Sequence, residues 1–259
     1  MVLSLVHNLG HYVILLCTLL GSYVLFLLKT VKVIFSTRLK WHKLFVQMER
    51  IGVDSLTIIV LTGLFTGMVF ALHSYIGFQR VGGEQFIGTV VALGIIRALG
   101  PVLTGLMVTG RAGSAIAAEL GTMRITEQID ALKTLNINPF QYLVVPRILA
   151  GMIILPFLTL FCMICGIVGG YITCIHILGL SPEDYTSGIR SYVEMSDIVG
   201  GLTKSAVFGF ILAWIGSYKG YTTTGGARGV GSSTTKSVVI ASIMILISNY
   251  FLTKILERL

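Results

Sequence analysis

The sequence predicts an all-α integral membrane protein, and three observations support this prediction. Of 259 residues, 54% are hydrophobic and only 12% are charged, about half the charged fraction of a soluble domain. The apolar residues lie in long blocks of the length that a membrane-spanning helix needs. A short charged segment separates two of these blocks. We expect one domain over 1–259, with an N-terminal interfacial region at 1–50 and a transmembrane core at 51–259 that contains five spans.

The N-terminal region combines an apolar run with a basic one. Residues 1–28 contain no Asp, Glu, Lys or Arg. Their apolar part, residues 12–28, predicts either a membrane span or a helix that lies partly in the inner leaflet. The basic stretch that follows is typical of a cytoplasmic membrane surface. It contains Lys29, Lys32, Arg38, Lys40, Lys43 and Arg50, with Trp41 among them.

Five later apolar runs are long enough to cross a bilayer. We expect Pro156 to kink or tilt the third of them. The predicted spans are Ser55–Gln79, Gln85 to about Ala118, Val144–Leu178, Ile198–Tyr218 and Ser237–Thr253.

The distribution of Lys and Arg between the loops predicts the orientation. Bases are concentrated in the N-terminal region, in the segment 121–139 and in the loop 219–236, and they are scarce in the other two loops. The positive-inside rule therefore places those three segments in the cytoplasm and the C-terminus outside. The same rule accounts for the net charge of +8. The sequence contains no run of bases interleaved with aromatic residues, so we expect no nucleic-acid partner.

The charged segment Gly121–Pro139 has the pattern of an amphipathic helix. Its apolar residues recur every three or four positions, acids lie towards its N-terminus, and Asn136 and Pro139 can end it. We predict a cytoplasmic helix of roughly 13 residues. The apolar face comprises Ile125, Ile129, Leu132 and Leu135.

Two interpretations of this helix are open. It could lie on the lipid surface, or it could dock in a groove of a cytoplasmic protein. A helix that binds anionic lipid should be basic. This one has two acids, Glu127 and Asp130, and two bases, Arg124 and Lys133. The balanced charge favours a protein partner.

The residues around this helix resemble a known family. Gly100-Pro101, "GRAGSA" from Gly110 to Ala115, and "MRITEQIDAL" from Met123 to Leu132 are similar to the MlaE/YrbE family of ABC-transporter permeases. A weaker similarity extends over "GLFTGMV" (Gly63 to Val69) and "KSAVF" (Lys204 to Phe208).

The resemblance implies a fold and a set of partners. The charged segment would be a coupling helix seated in the cleft of a separate ATPase subunit, which would bind ATP and Mg. The permease would be a two-fold dimer in the bacterial inner membrane, below a periplasmic Mce-domain assembly. It would pass phospholipid between the membrane and that assembly and so maintain outer-membrane lipid asymmetry. The coupling contacts would be Met123, Arg124, Glu127, Ile129 and Leu132.

The chain lacks the sequence patterns of an ATPase or another enzyme. A phosphate-binding loop requires Gly-x-x-x-x-Gly-Lys-Ser/Thr, and neither the Gly-rich stretch Gly225–Lys236 nor any other segment provides it. We predict that this stretch is a flexible cytoplasmic loop. No zinc signature is present, and Cys162-x-x-Cys165 is expected to pack rather than bind metal. The chain is therefore predicted to be non-catalytic, without a cofactor of its own.

Two basic residues lie deep in the predicted spans, Arg97 and Lys204. A charge within the bilayer is a candidate for function. Each could contact a lipid phosphate, or each could pair with a backbone carbonyl or an acid of a neighbouring helix. The family has Glu after the arginine, where this chain has Ala98. For Arg111 and Glu119 we expect a structural role.

The outer half of the first span contains further candidates for the lipid path. The resemblance implies that this stretch lines a lipid cavity, with Phe70, Ile76 and Phe78 as contacts of the acyl chains. His73 lies in the same stretch, where it could titrate or hydrogen-bond a carbonyl.

Small residues at helical spacing predict close helix packing, and homodimerisation is a further interpretation of the same motifs. They are Gly63-x-x-x-Gly67, Gly113-x-x-x-Ala117-x-x-x-Gly121 and Gly216-x-x-x-Gly220.

Other classes of function are less well supported. An ion-coupled secondary transporter or channel without an ATPase would show internal repeats and buried carboxylates. Here the deep charges are basic. A structural anchor for a periplasmic complex is the third possibility.

Overall fold

The computed structural model describes residues 2–36, 40–80 and 82–256, and every regular element within them is helical. The predicted all-α class is thereby confirmed. We number the helices in chain order, treating each continuous run of helical turns as one helix. They are α1 Val2–Ser36, α2 Trp41–Gln79, α3 Glu84–Ile125, α4 Gln128–Thr134, α5 Phe140–Ile177, α6 Pro182–Tyr192, α7 Met195–Tyr221 and α8 Gly226–Leu256.

Five of these helices, α2, α3, α5, α7 and α8, are long and apolar enough to cross a membrane. This confirms the number and order of the predicted spans. Helix α2 begins at Trp41 and α8 at Gly226, well before the predicted starts at Ser55 and Ser237. The division expected between an N-terminal region 1–50 and the core does not coincide with a break, because α2 is continuous from Trp41.

The prediction of a flexible loop over Gly225–Lys236 is wrong, because α8 begins at Gly226. The hydroxyl groups of Thr234 and Thr235 donate hydrogen bonds to the carbonyl oxygen of Gly231, one helical turn earlier. The first turns of α8 also pack on α3, where Val230 lies near Gly121. Tertiary packing therefore outweighs the low helix propensity of this stretch.

Glycines allow the spanning helices to approach one another closely. A Cβ at Gly63 would lie 2.7 Å from the carbonyl oxygen of Cys162, and one at Gly67 would overlap the carbonyl of Gly166. Both glycines belong to α2, and both contacts are on α5. The backbones of α2 and α5 are thus in direct contact at two positions one helical turn apart.

The remaining small-residue motifs meet between α3 and α7. A Cβ at Gly216 would lie 3.1 Å from the carbonyl oxygen of Gly113, and one at Gly220 would lie 2.8 Å from that of Ala117. Gly121 continues the α3 face and contacts Thr223 just beyond α7. All these contacts form within one chain.

The predicted 13-residue amphipathic helix is wrong in its extent. Ile125 is the last residue of α3, and the chain turns at Thr126 and Glu127 before the seven-residue α4. Glu127 has a left-handed backbone conformation with a φ of 60°. A left-handed residue cannot continue a right-handed helix, so the pattern is divided between two helices.

The C-terminal end of α4 agrees with the sequence. Asn136 adopts a φ of 58°, and the amide of Ile137 donates to the carbonyl of Leu132. This is the hydrogen-bond pattern of a helix that ends on a left-handed residue.

Contacts place the three basic segments at one end of the helical bundle. Arg50 of α2 and Arg147 of α5 both bind Glu119, near the end of α3. Gly121 meets Thr223 and Val230, in the loop between α7 and α8 and at the start of α8. We call this end, which includes α4, the α4 end.

Helix α1 packs against the bundle at the same end. The ring of Tyr23 lies 3.9 Å from that of Tyr218 on α7, and Phe26 contacts Phe140 at the start of α5. Neighbouring apolar side chains of α1 are exposed, among them Leu25, which is 61% accessible. In the described part of its surface, α1 therefore contacts the bundle by one face only.

Candidate functional site

A cavity of about 490 Å³ lies at the end of the bundle opposite to α4. It contains two bases and two acids, and it is formed where α3, α7 and the end of α8 meet. Its lining residues are Arg97, Glu194, Ser196, Asp197, Gly200, Gly201, Lys204 and Leu256.

An ion pair joins two helices in this cavity. Nε of Arg97 donates to a carboxylate oxygen of Asp197 at 2.7 Å. Asp197 is itself held by the amide of Glu194, which donates to its other oxygen at the start of α7. The side chain of Arg97 remains 49% exposed, so it can contact a further anion.

Lys204 is buried at the base of the same cavity. Its ammonium group donates to the carbonyl oxygen of Arg97 and to the hydroxyl of Thr253, both at 2.8 Å. Pro101 lies four residues after Arg97 and has no N–H, so the helix lacks its usual donor to that carbonyl. Lys204 supplies a donor to this carbonyl and connects α3, α7 and α8.

The second candidate surface is α4 itself. Ile129 is completely buried in the main hydrophobic core and anchors the helix to the spans. Leu135, just after the helix, is 69% exposed, and Glu127, Gln128 and Ala131 are also exposed. The outward surface of α4 thus differs from the predicted apolar face, because Ile129 points inward.

One ion pair joins α4 to α3, and a second lies within α4. Arg124 at the end of α3 and Lys133 on α4 both bind the carboxylate of Asp130, at 2.8 and 2.7 Å. The Lys133 ammonium, followed by the Arg124 guanidinium, lowers the pKa of Asp130. The carboxylate therefore stays charged and bridges the turn at Glu127.

Next to α4, a network of charges connects α2, α3 and α5. Glu119 accepts hydrogen bonds from Arg50 at 3.2 Å and from Arg147 at 2.9 Å. Arg111 pairs with Asp54 at 2.8 Å. Arg147 is only 3% exposed, so a buried charge is compensated here.

The predicted site residues fall into separate groups. Arg97 and Lys204 line one cavity. Phe70 packs against Gly94, and Phe78 borders the same smaller hydrophobic cluster. His73 and Ile76 are exposed on α2. Within one chain, the α2 side chains do not join the cavity.

At the α4 end the predicted coupling residues also divide. Arg124 binds Asp130, whereas Met123 lines a pocket next to Glu119. Leu132 is partly buried against the main core. Of the five predicted residues, Glu127 is exposed and Ile129 is buried.

Sequence analysis missed Asp197 and Thr253, the partners of Arg97 and Lys204. A signal for Asp197 exists, because it precedes Lys204 by seven residues and so shares its helix face. The Glu that follows the arginine in the family would supply a local counter-charge, and this chain has Ala98 there. Asp197 provides that charge from a different helix.

Five long apolar helices define a multi-pass membrane protein. Residues 44–255 match the family described as Permease MlaE. The chain therefore belongs to the MlaE permease family, whose members are transmembrane subunits and not enzymes. This confirms the resemblance seen in the sequence.

Individual relatives agree with this assignment. The chain is 43% identical to a "Probable ABC transporter permease protein" of Rickettsia bellii, over 98% of both chains. It is 37% identical to the "Intermembrane phospholipid transport system permease protein MlaE" of Haemophilus influenzae, over 81% of both chains. The Arabidopsis thaliana chloroplast protein TRIGALACTOSYLDIACYLGLYCEROL 1 is 40% identical over 85% of this chain and 63% of its own.

Proposed function

We propose that this chain is the membrane permease of an ATP-driven phospholipid transporter in the inner membrane of a bacterium. It works as a dimer, with an ATPase subunit beneath each copy and a periplasmic Mce-domain assembly above. The complex passes phospholipid between the membrane and that assembly and so maintains outer-membrane lipid asymmetry. ATP and Mg bind to the ATPase subunits, and the chain itself needs no cofactor. The N-terminus lies in the cytoplasm.

The observation that carries this proposal is the attachment of α4. The helix is fixed on its inner side by Ile129, which is fully buried, and by the ion pair between Arg124 of α3 and Asp130. Its outer side is exposed. A rigid body fastened to the spans, with a free outer surface, can transmit a displacement from a partner protein to the bundle.

In this mechanism the ATPase contacts the exposed residues Glu127, Ala131 and Leu135, which are spaced four residues apart. Closure of the ATPase dimer on ATP displaces α4. The displacement passes through Ile129 into the main core and through the Glu119 network, next to α4, into α2 and α5.

The end of the bundle opposite to α4 binds the lipid headgroup. Arg97 is half exposed in a cavity of about 490 Å³, and a guanidinium can bind a phosphate through two hydrogen bonds. The acyl chains lie along the outer half of α2, on Phe70, Ile76 and Phe78, and His73 lies beside them. The similarity to the Haemophilus influenzae phospholipid permease supports this choice of substrate.

Co-purification of the ATPase subunit tests the coupling surface. Leu135→Asp places a charge on the exposed side of α4, where it should abolish ATPase binding without loss of folding. Met195→Asp is the matched control, because Met195 is 73% exposed at the other end of the bundle. Ile129→Asp is unsuitable, because a buried charge would unfold the chain.

Two results would contradict the proposal. The first is retention of the ATPase by Leu135→Asp at the level of the control. The second is purification of the complete native complex without any ATPase, which would favour an ion-coupled transporter or a structural anchor.

A further inference from the structure

A second polar pocket, of about 300 Å³, lies at the α4 end between the first turns of α2 and α5. We call it the α2–α5 pocket. Its charged lining residues are Lys43, Arg50, Arg147 and Glu119, together with His42. Three permanent cations and one carboxylate leave a net charge of +2 before His42 is counted.

The cations come from two helices and converge on one space. Lys43 and Arg50 are seven residues apart on α2 and so share a face, and Arg147 projects from α5. Glu119 engages both arginines but does not neutralise Lys43. The ammonium of Lys43 lies 3.6 Å from the ring centroid of Tyr142, which holds it beside the pocket by a cation–π contact.

Arg147 contributes a buried positive charge to the wall of the pocket. It is only 3% exposed. Its two terminal nitrogens donate to the carbonyl of Leu143 and to Glu119. Its Nε is buried and has no hydrogen-bond partner among the described residues. Glu119 balances one of the three cations, so an anion in the pocket would reduce the remaining excess of positive charge.

The surrounding surface points to the membrane interface. Trp41 and Phe45 lie on the same helical turns as Lys43 and are 64% and 61% exposed. Exposed aromatic side chains of this kind sit at the headgroup level of a bilayer. A phosphate group at that depth can enter a basic pocket, where arginine binds it through two hydrogen bonds.

We propose that the α2–α5 pocket binds a phosphate group, either the headgroup of an anionic phospholipid or a free phosphate compound. This site is separate from the Arg97 cavity and does not depend on the proposed transport function. Because the ligand would contact α2 and α5 next to Glu119 and Met123, its binding stabilises the arrangement of helices on which α4 rests.

Lipid and phosphate titrations of the full chain distinguish the two sources. In phosphatidylcholine nanodiscs, addition of phosphatidylglycerol should raise the unfolding temperature if a lipid headgroup occupies the pocket. In neutral detergent, inorganic phosphate should raise it if a soluble anion does. Lys43→Gln should lower the affinity for whichever probe binds by about tenfold, the value expected for the loss of one charge-assisted hydrogen bond.

Lys236→Gln is the matched control, because it removes the same charge from an exposed position outside the pocket. It should leave the affinity of both probes unchanged. Equal effects of the two substitutions would mean that only general surface charge is involved, and the proposal would be wrong. It would also be wrong if neither probe bound. If Lys43→Gln then reduced co-purification of the ATPase, the pocket would be a protein-docking surface.

Discussion

Pro101 explains why a lysine is buried inside an apolar bundle. It removes the amide that would bond to the carbonyl of Arg97, so this carbonyl needs a donor from another helix. Lys204 donates to it from α7 and also bonds to Thr253 of α8. Lys204 therefore connects three spanning helices through its hydrogen bonds.

Replacement of this lysine tests the structural role. Lys204→Ala should lower the free energy of unfolding by about 1–3 kcal/mol, because the carbonyl of Arg97 loses a buried donor. Lys254→Ala is the control, since Lys254 is exposed on the last turns of α8 and should change stability little. Thermal unfolding in lipid-free detergent measures both. Equal stability of the two variants would contradict this structural role of Lys204.

At the residue scale the sequence singled out Arg97 and Lys204 as charges within the spans but could not predict their partners. Lys204 pairs with a carbonyl 107 positions away, and Arg97 with an acid 100 positions away. Such pairs depend on the tertiary arrangement of helices. The burial of Ile129 was missed for a related reason. The spacing of the apolar residues predicts a helix but does not show which of them pack against the spans.

Among the elements, α2 and α5 have the closest contact, and glycines permit it. A side chain at Gly67 would overlap the backbone carbonyl of Gly166. Backbone cannot move aside as a flexible side chain can. The small-residue motifs are thus used between helices of one chain.

A pair of alanine substitutions on α2 tests this contact. Gly67→Ala should lower the free energy of unfolding by about 1–3 kcal/mol through overpacking. Gly77→Ala has open space around its Cβ and should stabilise the helix by up to about 1 kcal/mol. Urea or thermal unfolding gives the sign of each change. Stabilisation by both substitutions would show that α2 and α5 are not in backbone contact.

The turn between α3 and α4 also has a testable conformation. Glu127 has a φ of 60°, which costs a residue with a side chain about 1–2 kcal/mol. Glu127→Gly should therefore slow hydrogen exchange of the α4 amides, and Glu127→Val should accelerate it. Measurements on the isolated chain exclude effects of a partner. Faster exchange in the glycine variant than in the valine variant would rule out the left-handed turn.

At the scale of elements, charge-free runs predicted the five spans because a bilayer imposes both length and composition. Helix ends were harder to predict. The polar start of α8 and the basic start of α2 are helical because they continue spans that pack on neighbours. Asn136 was predicted correctly as a helix end, since its signal is local. The break at Glu127 has no such signal, because nothing in its side chain requires a left-handed backbone.

As a whole, the molecule separates two kinds of surface. The Arg97 cavity lies at one end, and α4, the Glu119 network and the α2–α5 pocket lie at the other. Helices α2, α3, α5 and α7 are joined through backbone contacts at glycine, and α8 packs against α3 and α7. Closely packed helices have low compressibility, so a displacement at one end of the bundle can be transmitted to the other end.

Photo-crosslinking in the native complex tests the central claim, that an ATPase acts on this bundle through α4. A benzoylphenylalanine is placed at Ala131, exposed on α4, or at Ser187, exposed on α6, which packs near the start of α3. Illumination should join the ATPase subunit to the chain labelled at 131 and not to the chain labelled at 187. Attachment of the ATPase at 187, or its absence at 131 in an intact complex, would contradict this account.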